Sequence, residues 1–160
     1  KEFPQLQVMQ QIGRTYRAML AAFDAKIGQP MPRWRVMLLL YQRGETSQKE
    51  LACELRMDPA ALTRQIKSIE RLGWVRRHSD AQDNRLTNVI LTPAGRDLVM
   101  RALPRRSAFI EDALTDLSLD EMGALSAMLD VLEKRLRQQT PKAPSSDRLE
   151  KKSPGARRDG

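Results

Sequence analysis

The residue types that most often perform catalysis are scarce in this chain. It has one histidine, His78, and one cysteine, Cys53, and neither lies in a pattern of paired metal ligands. The sequence also has no Gly-rich loop of the kind that cradles phosphate. A single cysteine excludes an internal disulfide framework and is typical of a reducing compartment. We therefore expect no enzyme, no cofactor and no metal site.

The side chains that do offer chemistry are arginines and lysines, and they are concentrated in the middle of the chain. The net charge is +8 at pH 7. Residues 56–106 carry eleven Arg or Lys against five Asp or Glu, and residues 141–160 carry six against three. A basic block inside a folded domain repels itself unless a polyanion neutralises it, which indicates nucleic acid as the partner. Charge alone leaves open the alternative of a solvated basic surface.

Arg85 is distinguished among these cations by its setting, DAQDNRLTNVILTPAG at residues 80–95. Turn-forming polar residues precede it and an alternating apolar run follows it. The pattern predicts strands at residues 74–78 and 86–91, with Arg85 near the tip of the β-hairpin between them. A hairpin tip is poorly placed to bury a side chain and well placed to contact a partner.

Two short helices are predicted immediately before this hairpin. Ser47 and Glu50 have the spacing of a capping box, which begins the first helix. Asp58 and Pro59 supply the N-cap and the first position of the second helix, and Gly73 ends it. The polar side of the second helix carries Thr63, Arg64, Gln65 and Lys67. Two short helices followed by a hairpin form a winged helix-turn-helix.

Long helices flank this motif at residues 3–28, 93–115 and from Ser118 onward, and a buried helix at 33–42 precedes it. In the first, apolar or small residues alternate in steps of three and four: Leu6, Met9, Gly13, Tyr16, Leu20, Phe23 and Ile27. The last has a similar seam of Met122, Leu125, Leu129, Leu132 and Leu136. A small motif cannot cover both helices, so we expect them to pair with a second copy in a two-fold dimer. The DNA target is then an inverted repeat.

The fold class is thus mainly α with a small β-hairpin wing, a winged helix-turn-helix with long N- and C-terminal dimerisation helices. We divide the chain into an N-terminal dimerisation helix at 3–32, a DNA-binding lobe at 33–92 and C-terminal dimerisation helices at 93–139. Residues 140–160 are rich in Pro, Ser and charge without apolar periodicity, which predicts a disordered basic tail.

Five separated elements occur in an order that resembles one known family. They are Trp34 with VMLLLY, the S-x-x-E-L-A motif at 47–52, LTRQIKSIERLGWVRR at 62–77, D-x-R at 83–85 and LTPAG at 91–95. Over about residues 5–138 the chain resembles the MarR family of bacterial transcription regulators. The resemblance implies an obligate winged-helix dimer, usually a repressor of neighbouring genes. A small phenolic or aromatic carboxylate ligand, or thiol oxidation, releases such a repressor from DNA.

The resemblance implies DNA-contacting roles for several of these residues. Arg85 corresponds to the wing arginine that enters the minor groove, and Asp83 is expected to brace it or the hairpin. Arg64 suits guanine edges and Gln65 suits adenine, whereas Lys67 suits a phosphate. The other expected contacts are Ser47, Gln48, Lys49, Ala60, Ala61, Thr63, Arg76 and Arg77. Ser47 is also fully explained as a helix cap.

Family ligand pockets lie between the dimerisation helices and the DNA-binding lobe, which makes six residues candidate effector contacts. They are Arg14, Tyr16, Arg17, Arg33, Trp34 and His78. Arginine with an aromatic wall is the chemistry expected for a benzoate-like or pyridine-carboxylate-like ligand. Taken alone, Tyr16 and Trp34 are better explained as core residues, and His78 as an exposed wing residue.

Two alternatives to ligand sensing remain open from the sequence. Cys53 lies beside Leu51, Ala52 and Leu55, which favours a buried or half-buried structural thiol, but Lys49 nearby could favour a sensing thiolate. A non-specific architectural DNA-binding protein would lack the preference for one site that a regulator shows. No apolar stretch approaches the roughly 18 residues of a membrane span, and KEFPQLQVMQQ has no signal-peptide core. We expect a cytoplasmic, nucleoid-associated protein.

Overall fold

Six helices and three short strands make up residues 3–139, the part of the chain that the computed structural model describes. One compact unit ends at Ala113, and a second begins at Leu114. The first unit contains α1 (Pro4–Ile27), α2 (Met31–Arg43), β1 (Thr46–Ser47), α3 (Gln48–Leu55), α4 (Pro59–Arg71), β2 (Val75–Ser79), β3 (Thr87–Leu91) and α5 (Pro93–Ala113). The second contains α6 (Leu119–Gln139). Within the described residues, no helix combines the length and apolar character needed to cross a membrane. The tail expected at 140–160 lies outside the described residues.

The helices of the DNA-binding motif begin and end at the residues whose side chains or backbones suit those positions. Ser47 Oγ accepts a hydrogen bond from the Glu50 amide at 3.2 Å, and Glu50 Oε2 accepts one from the Ser47 amide at 3.1 Å. Asp58 Oδ2 accepts a hydrogen bond from the Ala61 amide at 3.0 Å and so caps α4. Gly73, at a φ of 76°, takes the left-handed conformation just after α4.

One apolar core joins α1 through α5. The buried side chains come from every helix of the first unit and from β2 and β3, and the largest that are fully buried are Trp34, Ile27, Met37, Leu40, Leu51, Leu62, Ile66, Ile69, Val36, Val75, Val89 and Val99. The three strands form an antiparallel sheet in the order β1-β3-β2, with Arg77 and Thr46 both opposite Val89. The predicted hairpin is therefore present, and a third strand that the sequence did not predict is paired to it.

Several expected boundaries were displaced, each for a local reason. The helix predicted from residue 33 begins at Met31. Pro32 fits the first turn, because an amide N–H there would have no acceptor within the helix and proline lacks that N–H. The strand expected from residue 74 begins at Val75, because the Trp74 amide instead donates to Ile69 O and continues the turn after α4. The helix expected to end near Met57 ends at Leu55, where Arg56 turns to a φ of 50°.

Two residues are more exposed in the protomer than a core position would be. Tyr16 belongs to the seam that is expected to pair with a second copy, and it is 56% exposed in the protomer, because the core contacts of α1 come from its last turns at Phe23 and Ile27. Cys53 was expected to be buried or half-buried and is exposed. Leu51, Ala52 and Leu55 define the buried side of α3, and Cys53 projects away from that side.

Candidate nucleic-acid interface

Helix α4 is strongly amphipathic, and this fixes which of its side chains face outward. Leu62, Ile66 and Ile69 are buried. Arg64 and Lys67 are exposed, so both cations project away from the core. Among the other expected contacts on this helix, Ala60 is exposed and Ala61, Thr63 and Gln65 are half-buried. The outward side of α4 therefore presents two cations, an amide and small side chains that leave the backbone accessible.

The beginning of α3 is attached to the first turn of α4. Gln48 Nε2 donates to Thr63 Oγ1 at 3.2 Å, and Thr63 Oγ1 donates to Pro59 O at 2.9 Å. These two expected DNA contacts therefore already bind each other. Lys49 is exposed beside them, which leaves its ammonium group able to reach a phosphate.

Ser47 is occupied by its capping interactions. Besides accepting from the Glu50 amide, its hydroxyl donates to Glu50 Oε2 at 2.8 Å, and the residue is only 6% exposed. These hydrogen bonds are the main cause that lowers the pKa of the Glu50 carboxyl. Ser47 is a helix cap in this structure, and its side chain is not presented as a DNA contact.

The turn of the wing is organised by an acidic residue that was not among the expected site residues. Asp80 Oδ1 accepts hydrogen bonds from the amides of Gln82 at 2.8 Å and Asp83 at 3.0 Å, and Oδ2 accepts one from Asn88 Nδ2 at 2.8 Å. These bonds lower the pKa of the Asp80 carboxyl. An aspartate at the start of a polar turn is the signal that could have identified it, because Asp side chains bond amides two residues ahead.

Arg85 is exposed on this turn, and its backbone is fixed. Its amide donates to Asp83 Oδ1 at 3.0 Å, and the Leu86 amide donates to Asp83 O at 2.9 Å. Asp83 therefore braces the backbone at Arg85. Within residues 3–139, the hydrogen bond that Arg85 makes is that of its backbone amide, and its guanidinium has no ion-pair partner there.

The two arginines of β2 have different surroundings. Arg76 is exposed. Arg77 donates from Nε at 3.0 Å and from Nη2 at 2.8 Å to Glu70 Oε2, and this interaction lowers the pKa of the Glu70 carboxyl. Arg77 therefore connects the wing to the last turn of α4, and Arg76 is the one free to meet a partner.

The six expected effector contacts do not converge on one cavity of the protomer. Arg14 bonds Gln11 on α1, where Tyr16 and Arg17 are also exposed. Trp34 is 2% exposed in the core and its ring lies 6.3 Å from that of Phe23, so it is a core anchor. His78 Nε2 lies 2.8 Å from Glu45 Oε1 beside the sheet. Arg33 bonds Gln29 and Ser68.

Two clefts of the first unit are lined by side chains that could bind a small ligand or react with one. One, of about 470 Å³ between α1 and α5, is lined by Lys26, Arg105, Ala108, Phe109 and Asp112, and so combines two cations and one carboxylate with an aromatic ring. The other, also about 470 Å³, separates α3 from α4. Cys53 lines it together with Lys49 and apolar side chains. Sequence spacing gave no sign of either cleft.

The amino-acid sequence of the chain is similar to those of known transcription regulators. The sequence model of the MarR family matches residues 30–87. The chain is 31% identical over 126 residues to the HTH-type transcriptional regulator YdgJ of Bacillus subtilis, covering 79% of this chain and 75% of YdgJ.

Solved structures share the fold. A cysteine-to-serine mutant of MarR from E. coli, complexed with operator DNA, superposes with a TM-score of 0.73 at 19% identity, covering 79% of this chain and 93% of that one. BpsR of Bordetella bronchiseptica, described with regulation of its DNA binding by 6-hydroxynicotinic acid, superposes with a TM-score of 0.68 at 23% identity, covering 79% and 98%. With the family match and the winged helix-turn-helix described above, this chain belongs to the MarR family and is a DNA-binding transcription regulator, not an enzyme.

Proposed function

We propose that the protein is a homodimeric repressor in the bacterial cytoplasm and nucleoid that binds an inverted-repeat operator and is released by a small aromatic carboxylate or phenol. The observation that carries the proposal is the presence, in one compact unit, of an outward cationic side of α4 and an exposed Arg85 on a braced wing. A helix suits the major groove and an arginine-tipped wing suits the adjacent minor groove.

The contacts with DNA divide by chemistry. Arg64 and Gln65 carry donors that match guanine and adenine edges, and we assign them base readout. Lys49, Lys67 and Arg76 are assigned to phosphates, which position the protein without specifying sequence. Arg85 is assigned to the minor groove. In support, the E. coli MarR mutant of the same fold was solved with operator DNA.

A homodimer is supported by apolar side chains that the protomer leaves exposed on two long helices. On α1 they are Leu6, Val8, Met9, Tyr16 and Met19, and on α6 they are Leu119, Leu125, Met128, Leu129, Val131 and Leu136. Full burial of one such side chain stabilises by about 1.5–3 kcal/mol, so a shared interface has a substantial driving force. Leu129→Asp is expected to reduce the mass measured by light scattering to that of one chain; an unchanged dimer mass would remove this residue from the interface.

Release by an aromatic acid is supported by the regulation of BpsR by 6-hydroxynicotinic acid and by the cleft that contains Lys26, Arg105 and Phe109. A carboxylate can pair with the two cations while its ring lies against Phe109. The sequence-predicted contacts on α1 offer a second location. Arg105→Met and Arg14→Met separate them, because only the variant at the true site should resist release by 6-hydroxynicotinic acid or benzoate.

Redox control is a second candidate, favoured by the exposure of Cys53 beside α4. Oxidation or modification of this thiol would place new atoms in the cleft between the two helices of the motif. Hydrogen peroxide, which converts a single thiol to a sulfenic acid and is itself reduced to water, should then weaken DNA binding of the wild type but not of Cys53→Ser, and dithiothreitol should restore it. Equal loss in both proteins would exclude Cys53 as the sensor.

The deciding experiment is a fluorescence-anisotropy titration of DNA from upstream of the protein's own gene against a scrambled duplex, at two salt concentrations. A regulator of its own neighbourhood should prefer the upstream duplex by several kcal/mol at both concentrations. Equal and steeply salt-dependent binding to both duplexes would favour an architectural role and count against local repression.

A further inference from the structure

Arg33, on α2, contacts three other parts of the first unit, one of which is α4, the recognition helix that is assigned to the major groove. Its Nη1 donates to Gln29 Oε1 at 3.1 Å, in the connection between α1 and α2. Its Nη2 donates to Ser68 Oγ at 3.3 Å, on α4. Its Cζ lies 6.0 Å from the centroid of the Trp74 ring, in the turn between α4 and β2. One guanidinium on α2 therefore contacts the α1–α2 connection, the recognition helix and the turn that follows it.

The contacts of this guanidinium use its two separated terminal nitrogens and its face toward Trp74. Among the side-chain polar atoms that are buried within residues 3–139, Arg33 Nε is the one without a hydrogen-bond partner. A buried donor left without an acceptor costs free energy, which the cation–π contact with the Trp74 ring offsets in part. A lysine ammonium is a compact point charge and cannot reproduce two separated donors that reach Gln29 and Ser68 at once.

Movement of Ser68 would move the residues that are assigned to DNA. Ser68 is on the same rigid helix as Arg64 and Gln65, so a rotation of α4 changes the direction of both side chains. The turn at Trp74 is attached both to α4 and to the end of β3, because the Trp74 amide donates to Ile69 O at 3.2 Å and its carbonyl oxygen accepts the Thr92 amide at 2.9 Å. Arg33 thus connects α4 to this turn and to Gln29.

We propose that Arg33 is a positioning residue: it sets the orientation of α4 and couples that orientation to the α1–α2 connection through Gln29. Its assignment as an effector contact is then unnecessary, because its two terminal nitrogens already have protein partners. The functional consequence rests on the proposed reading of DNA by α4, whereas the effect on the position of α4 does not.

The DNA test uses a duplex enriched from a randomised library by the wild-type protein, together with a scrambled duplex. Arg33→Lys keeps the charge, and Arg101→Met on α5 is a control for the loss of an exposed charge. We expect Arg33→Lys to bind scrambled DNA within about twofold of the wild type but to lose about tenfold in preference for the enriched duplex. Gln29→Ala should lose preference in the same direction. Wild-type preference in Arg33→Lys would overturn the proposal.

A double-mutant cycle tests whether Arg33 acts through Ser68. Ser68→Ala alone should reduce the preference, and the double variant should lose no more than the worse single variant, because both remove one contact. Losses that multiply in the double variant would show that the two residues act independently and would overturn the coupling. Ser68→Ala removes only a hydroxyl and should fold normally. If Arg33→Lys folds poorly, the DNA preference of Ser68→Ala alone still tests the Arg33–Ser68 contact.

A measurement without DNA separates this inference from the proposed function. In 15N–1H NMR spectra of the full chain, Arg33→Lys should shift the Trp74 indole and the amides of α4, with the melting temperature little changed. If the library yields no preferred duplex, the proposed regulation fails. The chemical-shift changes then test, without DNA, whether Arg33 sets the position of α4. Unshifted α4 amides would overturn the role of Arg33 whether or not DNA is bound.

Discussion

Arg77 donates two hydrogen bonds to a single carboxylate oxygen of Glu70, from Nε at 3.0 Å and from Nη2 at 2.8 Å. The Arg77 amide adds a third, to Glu70 Oε1 at 3.3 Å. The pair therefore attaches the first strand of the wing to the last turn of the recognition helix. A wing that is held to α4 in this way presents Arg85 in a fixed relation to Arg64 and Lys67.

Glu70→Gln should weaken this attachment in a pH-dependent manner. Arg77 lowers the folded-state pKa of Glu70 below its ordinary value of 4.5, so the contribution of the carboxylate to stability is complete above that value. It is lost as the pH falls through the folded pKa. Urea unfolding should show a loss of about 1 kcal/mol at pH 7 in the variant, and a shrinking difference from the wild type below pH 4.5.

Glu111→Gln, an exposed carboxylate on α5, is the matched control for that experiment. It removes the same charge without removing a link between two elements. A difference between Glu70→Gln and the wild type that stays constant down to acidic pH would show that ionisation of Glu70 does not stabilise the wing.

Gly95 occupies a position where a side chain does not fit. A Cβ built on it would lie 2.0 Å from Trp74 O, the atom that already accepts the Thr92 amide. Because Gly95 and Trp74 O belong to backbone segments that cannot move aside easily, Gly95→Ala should lower the free energy of unfolding by about 3 kcal/mol. Gly123→Ala in α6 meets nothing within 4 Å and should instead stabilise by about 0.5–1 kcal/mol, since alanine favours a helix. Equal melting temperatures for the two variants would contradict the close approach.

The sequence predicted best what short-range chemistry determines. The capping pair predicted at Ser47 and Glu50 forms, because it needs only residues three apart. Ser118 and Glu121, with the same spacing, form a second such pair at the start of α6. The strand β1 was missed, because two residues become a strand only by pairing with β3. The hairpin required no such distant information, since its turn and its apolar alternation are contiguous in the sequence.

The candidate site shows the same division. Helical periodicity predicts that Leu62, Ile66, Ile69 and Leu72 face inward, which leaves Arg64 and Lys67 outward. The structure confirms this except for Leu72, which is 46% exposed because α4 ends at Arg71. It could not show that Arg77 is occupied by Glu70 or that Lys26 shares a cleft with Arg105, because those pairs depend on the packing of separate elements. Local patterns therefore indicate which side chains are available, and tertiary contacts decide which of them remain free.

Asp80 offers a prediction whose sign opposes simple electrostatics. Removing an acid from a DNA-binding surface should strengthen binding if only charge matters. Asp80→Ala also removes the acceptor of two turn amides, so the wing should lose its shape and operator affinity should fall. Asp80→Asn keeps an oxygen that can accept those amides and should bind at least as tightly as the wild type. Tighter binding by Asp80→Ala in an anisotropy titration would remove the turn from the mechanism.

Arg85→Ala provides the most direct test of the wing. The side chain is exposed on a turn whose backbone is held by Asp83, so its removal should leave the fold and the dimer mass unchanged. Operator affinity should fall by about 1–3 kcal/mol, because the guanidinium is assigned to a narrow groove of high negative potential. Arg101→Ala, an exposed arginine on α5, controls for the loss of one charge. If both variants bind the operator equally well, Arg85 contributes only general charge and the wing does not enter the minor groove.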